Sequence, residues 1–186
     1  MDKLHIFNTC LTVYNIAILT EEQLQDEDAK KAHPDIMTLE VLLPVALHKV
    51  MREYAWSFLD VRLELGEDLG PRDGYRHSYN LPPDCFRVTR ADGLYRVVGS
   101  VLLTNGRPIA YGQKTELPDS GVPADFDDLV AYALAIFAGP KLSPGDAKVQ
   151  LASTFYQTLV TGMALNDSQN AMRETAEVAD GCGSYV

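Results

Sequence analysis

The chain has 186 residues, 46% of them hydrophobic and 23% charged, and its 16 Lys and Arg against 26 Asp and Glu give a formal net charge of −10. That composition excludes a wholly disordered chain, and the length suits one or two domains with cores of their own. No stretch approaches the roughly 18 uninterrupted apolar residues of a membrane span.

Leu4, Phe7, Leu11, Tyr14 and Ile18 fall on one helical face, so the sequence predicts a first amphipathic helix that frays near Asn15. Thr20 and Gln23 form a capping box for a short polar helix over about residues 21–31, which His33-Pro34 breaks. Ile36, Leu39, Leu43, Leu47, Val50 and Tyr54 predict a second amphipathic helix, kinked at Pro44. Val61, Leu63 and Leu65 then alternate with Asp60, Arg62 and Glu64, the period of a strand. Residues 66–76, rich in glycine and charge, read as a loop.

A small antiparallel meander is expected over residues 84–116. Its strands are Cys85 to Arg90, Leu94 to Leu103 and Pro108 to Gln113, with turns at Asp92-Gly93 and Asn105-Gly106. After Pro123, Phe126, Leu129 or Val130, Ala133 and Phe137 line a helix with Asp125, Asp127 and Asp128 at its positive end, stopped by Gly139-Pro140. Ser143 caps a last helix running to about Glu174, whose inner face is Leu151, Phe155, Leu159 and Gly162 or Met163. The fold class is therefore α+β. A bundle of about four helices, built from residues 1–55 and 122–175, carries an inserted antiparallel β domain over residues 56–121. Residues 176–186 form a C-terminal tail.

The sequence offers little for catalysis. None of His5, His33, His48 and His77 stands in a metal-ligand pattern, and no phosphate loop or nucleophile elbow occurs. No cofactor is expected. Cys85 reads as core filler, Trp56 as a core anchor, and His48 with Arg52 as a solvated or interfacial pair. Glu67, Asp68 and Asp73 are the carboxylates that glycoside hydrolysis would need, but a solvated acidic loop is the favoured reading of them. An acidic chain also repels a phosphate backbone, which disfavours tight nucleic-acid binding. Polar residues interrupt the apolar run over 4–19, and three cysteines (Cys10, Cys85, Cys182) are scattered along the chain. Together these suit an unexported chain in a reducing compartment.

Three segments carry a resemblance. They are Tyr54-Ala55-Trp56-Ser57-Phe58; Tyr79-Asn80-Leu81-Pro82-Pro83-Asp84-Cys85-Phe86-Arg87-Val88; and Val122-Pro123 with Phe126, followed by an Ala-rich helix and Ala-Gly-Pro-Lys-Leu-Ser. Their order resembles the head-to-tail adaptor (connector) proteins of tailed phages, the group to which the tail tubular A proteins of short-tailed phages belong. Physically, Leu81-Pro82-Pro83 is a stiff corner, Asp84 is placed to accept local backbone N–H groups, and Cys85 and Val88 are placed to point inward. Trp56, Tyr79, Leu81, Pro82, Asp84 and Arg87 are thus scaffold residues.

The resemblance implies a virion neck protein assembled in the bacterial cytoplasm. It would be a ring of twelve copies beneath the portal protein, joined below to a tail or nozzle protein, with DNA passing through the channel unbound. Twelve copies at −10 each carry a formal −120, which suits such a channel. It further implies portal contacts from the C-terminal segment (Asn170, Arg173, Glu174, Tyr185, Val186) and tail-facing loops at Glu67, Asp68, Arg72, Asp73, Asn105 and Arg107. No membrane partner is implied. Two other classes compete: a peptidoglycan hydrolase acting in genome delivery through Glu67, Asp68 or Asp73, and a monomeric assembly chaperone or binding module.

Overall fold

Residues 129–140 contain no charged side chain, and a helix that is apolar all round must be enclosed on several sides. In the computed structural model, which describes residues 1–28, 34–118, 121–143 and 145–181 (170–181 by backbone alone), this segment is the centre of a helical unit. The chain forms an α+β fold of two compact units, Met1–Tyr54 together with the chain from Pro123 onward, and Ala55–Val122. The helices of the first unit are α1 (Lys3–Val13), α2 (Glu21–Gln25), α3 (Pro34–Glu53), α4 (Asp125–Leu142) and α5 (Asp146–Gly181). Helices α1, α3 and α5 each pack on α4.

Phe126, Leu129 and Leu134 of α4 are fully buried, worth about 1.5–3 kcal/mol each. Between them, Ala131, Ala133, Ala135, Ala138 and Gly139 keep the helix narrow enough for three neighbours. Gly139-Pro140 does not stop this helix, as the sequence reading expects. Gly139 is buried within it, Pro140 costs only one hydrogen bond in the last turn, and Ser143 N–H closes the end on Gly139 O at 3.0 Å. Ser143 is therefore the C-cap of α4, and α5 begins at Asp146.

Helix α1 buries Ile6, Phe7, Cys10 and Leu11, and it ends where Asn15 takes a left-handed φ of 56°. Asn15 N–H donates to Thr12 O and Ile16 N–H to Leu11 O, the paired bonds of a Schellman ending. Ile18 lies beyond that end and is 66% exposed, so it does not extend the buried face. Leu19 is buried in its place. The Asn8 side chain holds it there, accepting from Leu19 N–H at 2.7 Å and donating to Leu19 O at 3.0 Å.

The Thr20 and Gln23 capping box is present on α2, which spans only Glu21–Gln25. The expected continuation falls partly on residues 29–33, outside the described residues. Helix α3 buries Ile36, Leu39, Leu43, Ala46, Val50 and Met51 and continues through an exposed Pro44.

The inner face of α5 is in part a correction. Met163 is buried and Leu159 half-buried, as expected, but Ala152 and Tyr156 are buried in place of the expected Leu151 and Phe155, and that pair is 48% and 44% exposed. A small residue is needed where α5 approaches α4, because Val149 already lies against Gly139, and that turns the larger pair outward. Helix α5 also runs to Gly181, past the expected end at Glu174. Residues 176–181 of the expected tail are therefore helical, and 182–186 lie outside the described residues.

The second unit is not a simple meander. Its strands are β1 (Asp60–Arg62), β2 (His77–Asn80), β3 (Cys85–Ala91), β4 (Tyr95–Val98), β5 (Val101–Thr104) and β6 (Ala110–Lys114), in two antiparallel sheets ordered β1-β6-β3 and β2-β5-β4. The expected single strand from Leu94 to Leu103 is split by a turn at Gly99-Ser100, where Val98 pairs Val101. The segments β3–β4 and β5–β6 are the two arms of one long hairpin. It folds over between Ala91↔Ala110 and Tyr95↔Thr104, the last pairings on either side.

Asp92-Gly93 and Asn105-Gly106 are the two arms of this corner, not separate hairpin turns. A Cβ on Gly106 would lie 2.2 Å from Asp92 O, so the arms cross there only because position 106 has no side chain. Leu63, Leu102 and Ala110 form the core of this unit, with Val61, Leu65, Leu81, Cys85, Val88, Ala91 and Tyr95 against it.

A Cβ at position 139 would sit 2.3 Å from Tyr14 Oη and 2.5 Å from Val149 Cγ2. Gly139→Ala is expected to lose stability by about 1–3 kcal/mol from overpacking, against a gain in helix propensity of about 1 kcal/mol. The net effect is a lower urea midpoint at unchanged m-value.

Candidate interaction surface

The structure places the scaffold residues of the sequence reading in the β unit. Trp56 is fully buried, and its carbonyl accepts a 2.8 Å bond from the buried Gln113 side chain. Tyr79, in β2, is buried and stacks on His77 at 6.2 Å between centroids. Burial pushes its hydroxyl above the ordinary tyrosine value, with the Asp68 carboxylate adding to the effect. Leu81 N–H donates to Ser100 O, and Cys85 N–H closes a turn on Pro82 O at 3.0 Å. Arg87 pairs Gln113 across β3 and β6. Asp84 departs from expectation. Its carboxylate lies 3.0 Å from Lys114 Nζ, raising the lysine pKa, and its main-chain carbonyl accepts from Thr115 N–H.

The acidic loop is built around Asp68. One carboxylate oxygen accepts from Gly70 N–H at 2.9 Å and Ser78 N–H at 3.3 Å, and the other lies 2.6 Å from His77 Nδ1. The histidine hydrogen bond first, then the two amides, hold the carboxyl below the usual range. A general acid needs the opposite shift. Asp73 is half of a tight turn with Gly74, both at positive φ, closed by reciprocal Arg72 and Tyr75 backbone bonds. Arg72 Nε lies 3.5 Å from the Asp73 carboxylate.

Glu67 is exposed. Asn105 Oδ1 accepts from Arg76 N–H at 2.9 Å, which ties the two loop regions together, and Arg107 N–H and Nε both reach Asp92. Of the C-terminal residues, Asn170, Arg173 and Glu174 lie on the α5 backbone, and Tyr185 and Val186 lie outside the described residues. Among the described residues no cluster of His, Cys, Asp and Glu could hold a metal ion, and no helix is long and apolar enough to cross a membrane.

The helical unit carries what the sequence reading missed. Two apolar patches stand open on it. One runs along α3 through Met37, Val41 and Val45, at 55%, 70% and 49% exposure, and continues onto Phe137 of α4. Val45 and Phe137 border a groove of about 430 Å³ rimmed by His48, Lys49, Arg52 and Glu53. The other lies on α5, where Leu151, Phe155 and Leu165 are exposed and the Phe155 ring lies tilted against Tyr132 of α4, 5.4 Å between centroids. The signal was in the sequence as a charge-free run, because no charged residue falls between Lys148 and Asp167.

No protein-family model matches this chain, and no curated protein matches it.

The Asp68 geometry fixes a pH dependence. Its folded pKa is lowered, so the contribution to stability is complete above the ordinary aspartate value of about 3.9 and is lost as pH falls through the lower folded value. The Gly70 and Ser78 amide resonances should titrate with a midpoint below that ordinary value. In Asp68→Asn the titration disappears at both amides.

Proposed function

We propose that this chain is a structural adaptor of a tailed phage: a ring of twelve copies in the virion neck that seats beneath the portal protein, receives the tail or nozzle protein, and leaves a channel through which DNA passes unbound. The observation that carries this reading is the architecture. A helical bundle made from both ends of the chain is interrupted by a β unit in which the Tyr79–Val88 segment is a rigid corner packed on a core. That agrees with the arrangement the sequence resemblance implies.

The chemistry of the loops favours the same reading over a hydrolase. Asp68 is held below the usual carboxylate range by its His77, Gly70 and Ser78 partners, the opposite of what a general acid needs, and Asp73 is taken up in a turn. An acidic chain also lowers the tendency of passing DNA to bind. Residues 165–186 are assigned to the portal, and the 66–76 and 104–120 loops to the tail.

Multi-angle light scattering of the chain, alone and mixed with its portal ring, tests the proposal. The expected result is a complex whose added mass corresponds to about twelve chains. A chain that stays monomeric and leaves the portal mass unchanged contradicts it, and a cell-wall hydrolysis assay then becomes the next experiment.

A further inference from the structure

Charge is divided unequally between the two units. The helical unit holds 8 Lys and Arg against 17 Asp and Glu, a net −9, and the β unit 8 against 9, a net −1. Two copies of the helical unit repel each other over most of their surface. Helix α5 contains the exception. From Val149 to Asn166 it is free of charge, although its outward side is in solvent.

A solvated helix face carries charges, whereas the centre of a protein interface is depleted of them. On this face Leu151, Phe155, Thr158, Gly162 and Leu165 follow one another at alternating steps of four and three residues. That is the spacing of a seam against another helix. Thr154, Thr158 and Thr161 turn their hydroxyls back onto the carbonyls four residues earlier, which satisfies them without water. The same spacing continues in sequence through Gln169, Met172, Ala176 and Ala179, on a helix that reaches Gly181.

A matching face exists on the same unit. Met37, Val41 and Val45 form an exposed stripe of about 12 Å on α3, and Leu151 to Leu165 cover about 21 Å on α5, at 1.5 Å per residue. The end of the α3 stripe is bordered by His48, Lys49, Arg52 and Glu53, with Lys49 paired to Glu53, so the rim carries a formal 2 − 1 = +1 in a unit of net −9. Beyond Leu165, α5 turns acidic with Asp167, Glu174, Glu177 and Asp180 against Arg173 alone. Laid on each other in the same direction, the two stripes would bring apolar side chains together and set the acidic stretch of one copy beside the rim of formal charge +1 on the other.

We infer that the outer face of α5 packs lengthwise on the α3 stripe of a second copy of this chain, with Phe155 and Leu165 entering the region of Val41, Val45 and Phe137. The two faces are different surfaces of one subunit, so the contact is heterologous and each copy keeps one face of each kind free for the next. This deepens the adaptor reading by naming the surfaces through which its copies meet. It requires no portal, so it stands or falls separately from portal binding.

Sedimentation of the chain alone, from micromolar to millimolar concentration, is the test, with Val41→Glu and Phe155→Glu as the variants. The wild type should gain mass with concentration, and each variant alone should remain monomeric. An equimolar mixture should form a dimer and nothing larger, because each variant retains the face that the other has lost. Both side chains are exposed, so unchanged circular dichroism and melting are expected. Leu165→Glu replaces Phe155→Glu if loss of the Tyr132 contact lowers stability. A wild type that is monomeric throughout overturns the inference. So does a Val41→Glu variant that still associates, or a mixture that stays monomeric.

Discussion

The helical unit depends on one close approach. Tyr14, at the end of α1, lies against Gly139 of α4, and its hydroxyl donates to Ala135 O at 2.6 Å. Its own carbonyl accepts from Lys148 Nζ of α5 at 2.6 Å. One residue thus ties three helices together. The arrangement is possible only because α4 offers no side chain at position 139. Burial pushes the Tyr14 hydroxyl up to about 12, so it stays protonated and able to donate. The same closeness sets the orientation of α5. Val149 fills the space beside Gly139, Ala152 follows inward, and Leu151 and Phe155 are left outside.

A comparable constraint shapes the β unit. Its long hairpin would be a flat ribbon with an exposed face if it did not fold over, and the corner at Asp92 and Gly106 lets its two ends form separate sheets around Leu63, Leu102 and Ala110. Asp92 fastens the corner through Arg107 N–H and through the carbonyl that accepts from Thr104 Oγ1. Asp68 fastens the neighbouring loop in the same manner. Asp68, one of the three catalytic candidates, thus fastens a loop as Asp92 fastens the corner, and the lowered pKa of each follows from the donors it holds.

What the sequence made legible was periodicity and capping. The faces of Phe7 with Leu11 and of Ile36, Leu39, Leu43 and Val50, and the Thr20 capping box, stand where their spacing places them. What it concealed depends on partners far away in the chain. Gly139-Pro140 has the composition of a helix stop, yet Gly139 is there to admit Tyr14, which lies over a hundred residues earlier. Asp92-Gly93 and Asn105-Gly106 have the composition of hairpin turns, yet they are two arms of one corner. The α5 stripe of Leu151 and Phe155 was correctly seen as apolar and wrongly turned inward, since periodicity alone does not say which of two apolar faces the rest of its own chain will cover.

That second face connects fold to function. A helix with one side on its own bundle and a charge-free seam on the other suits a subunit that must hold its copies together while the rest of its surface stays acidic. Disulfide trapping of a Val41→Cys, Phe155→Cys double variant, with Cys85→Ser and Cys182→Ser so that the buried Cys10 is the one native thiol left, tests this most directly. The account predicts a ladder of covalent oligomers extending well beyond the dimer, with neither variant that carries just one of the two introduced cysteines producing it. Trapping that stops at monomer, or a Phe155→Cys single variant that forms dimers as readily as the pair, would contradict it.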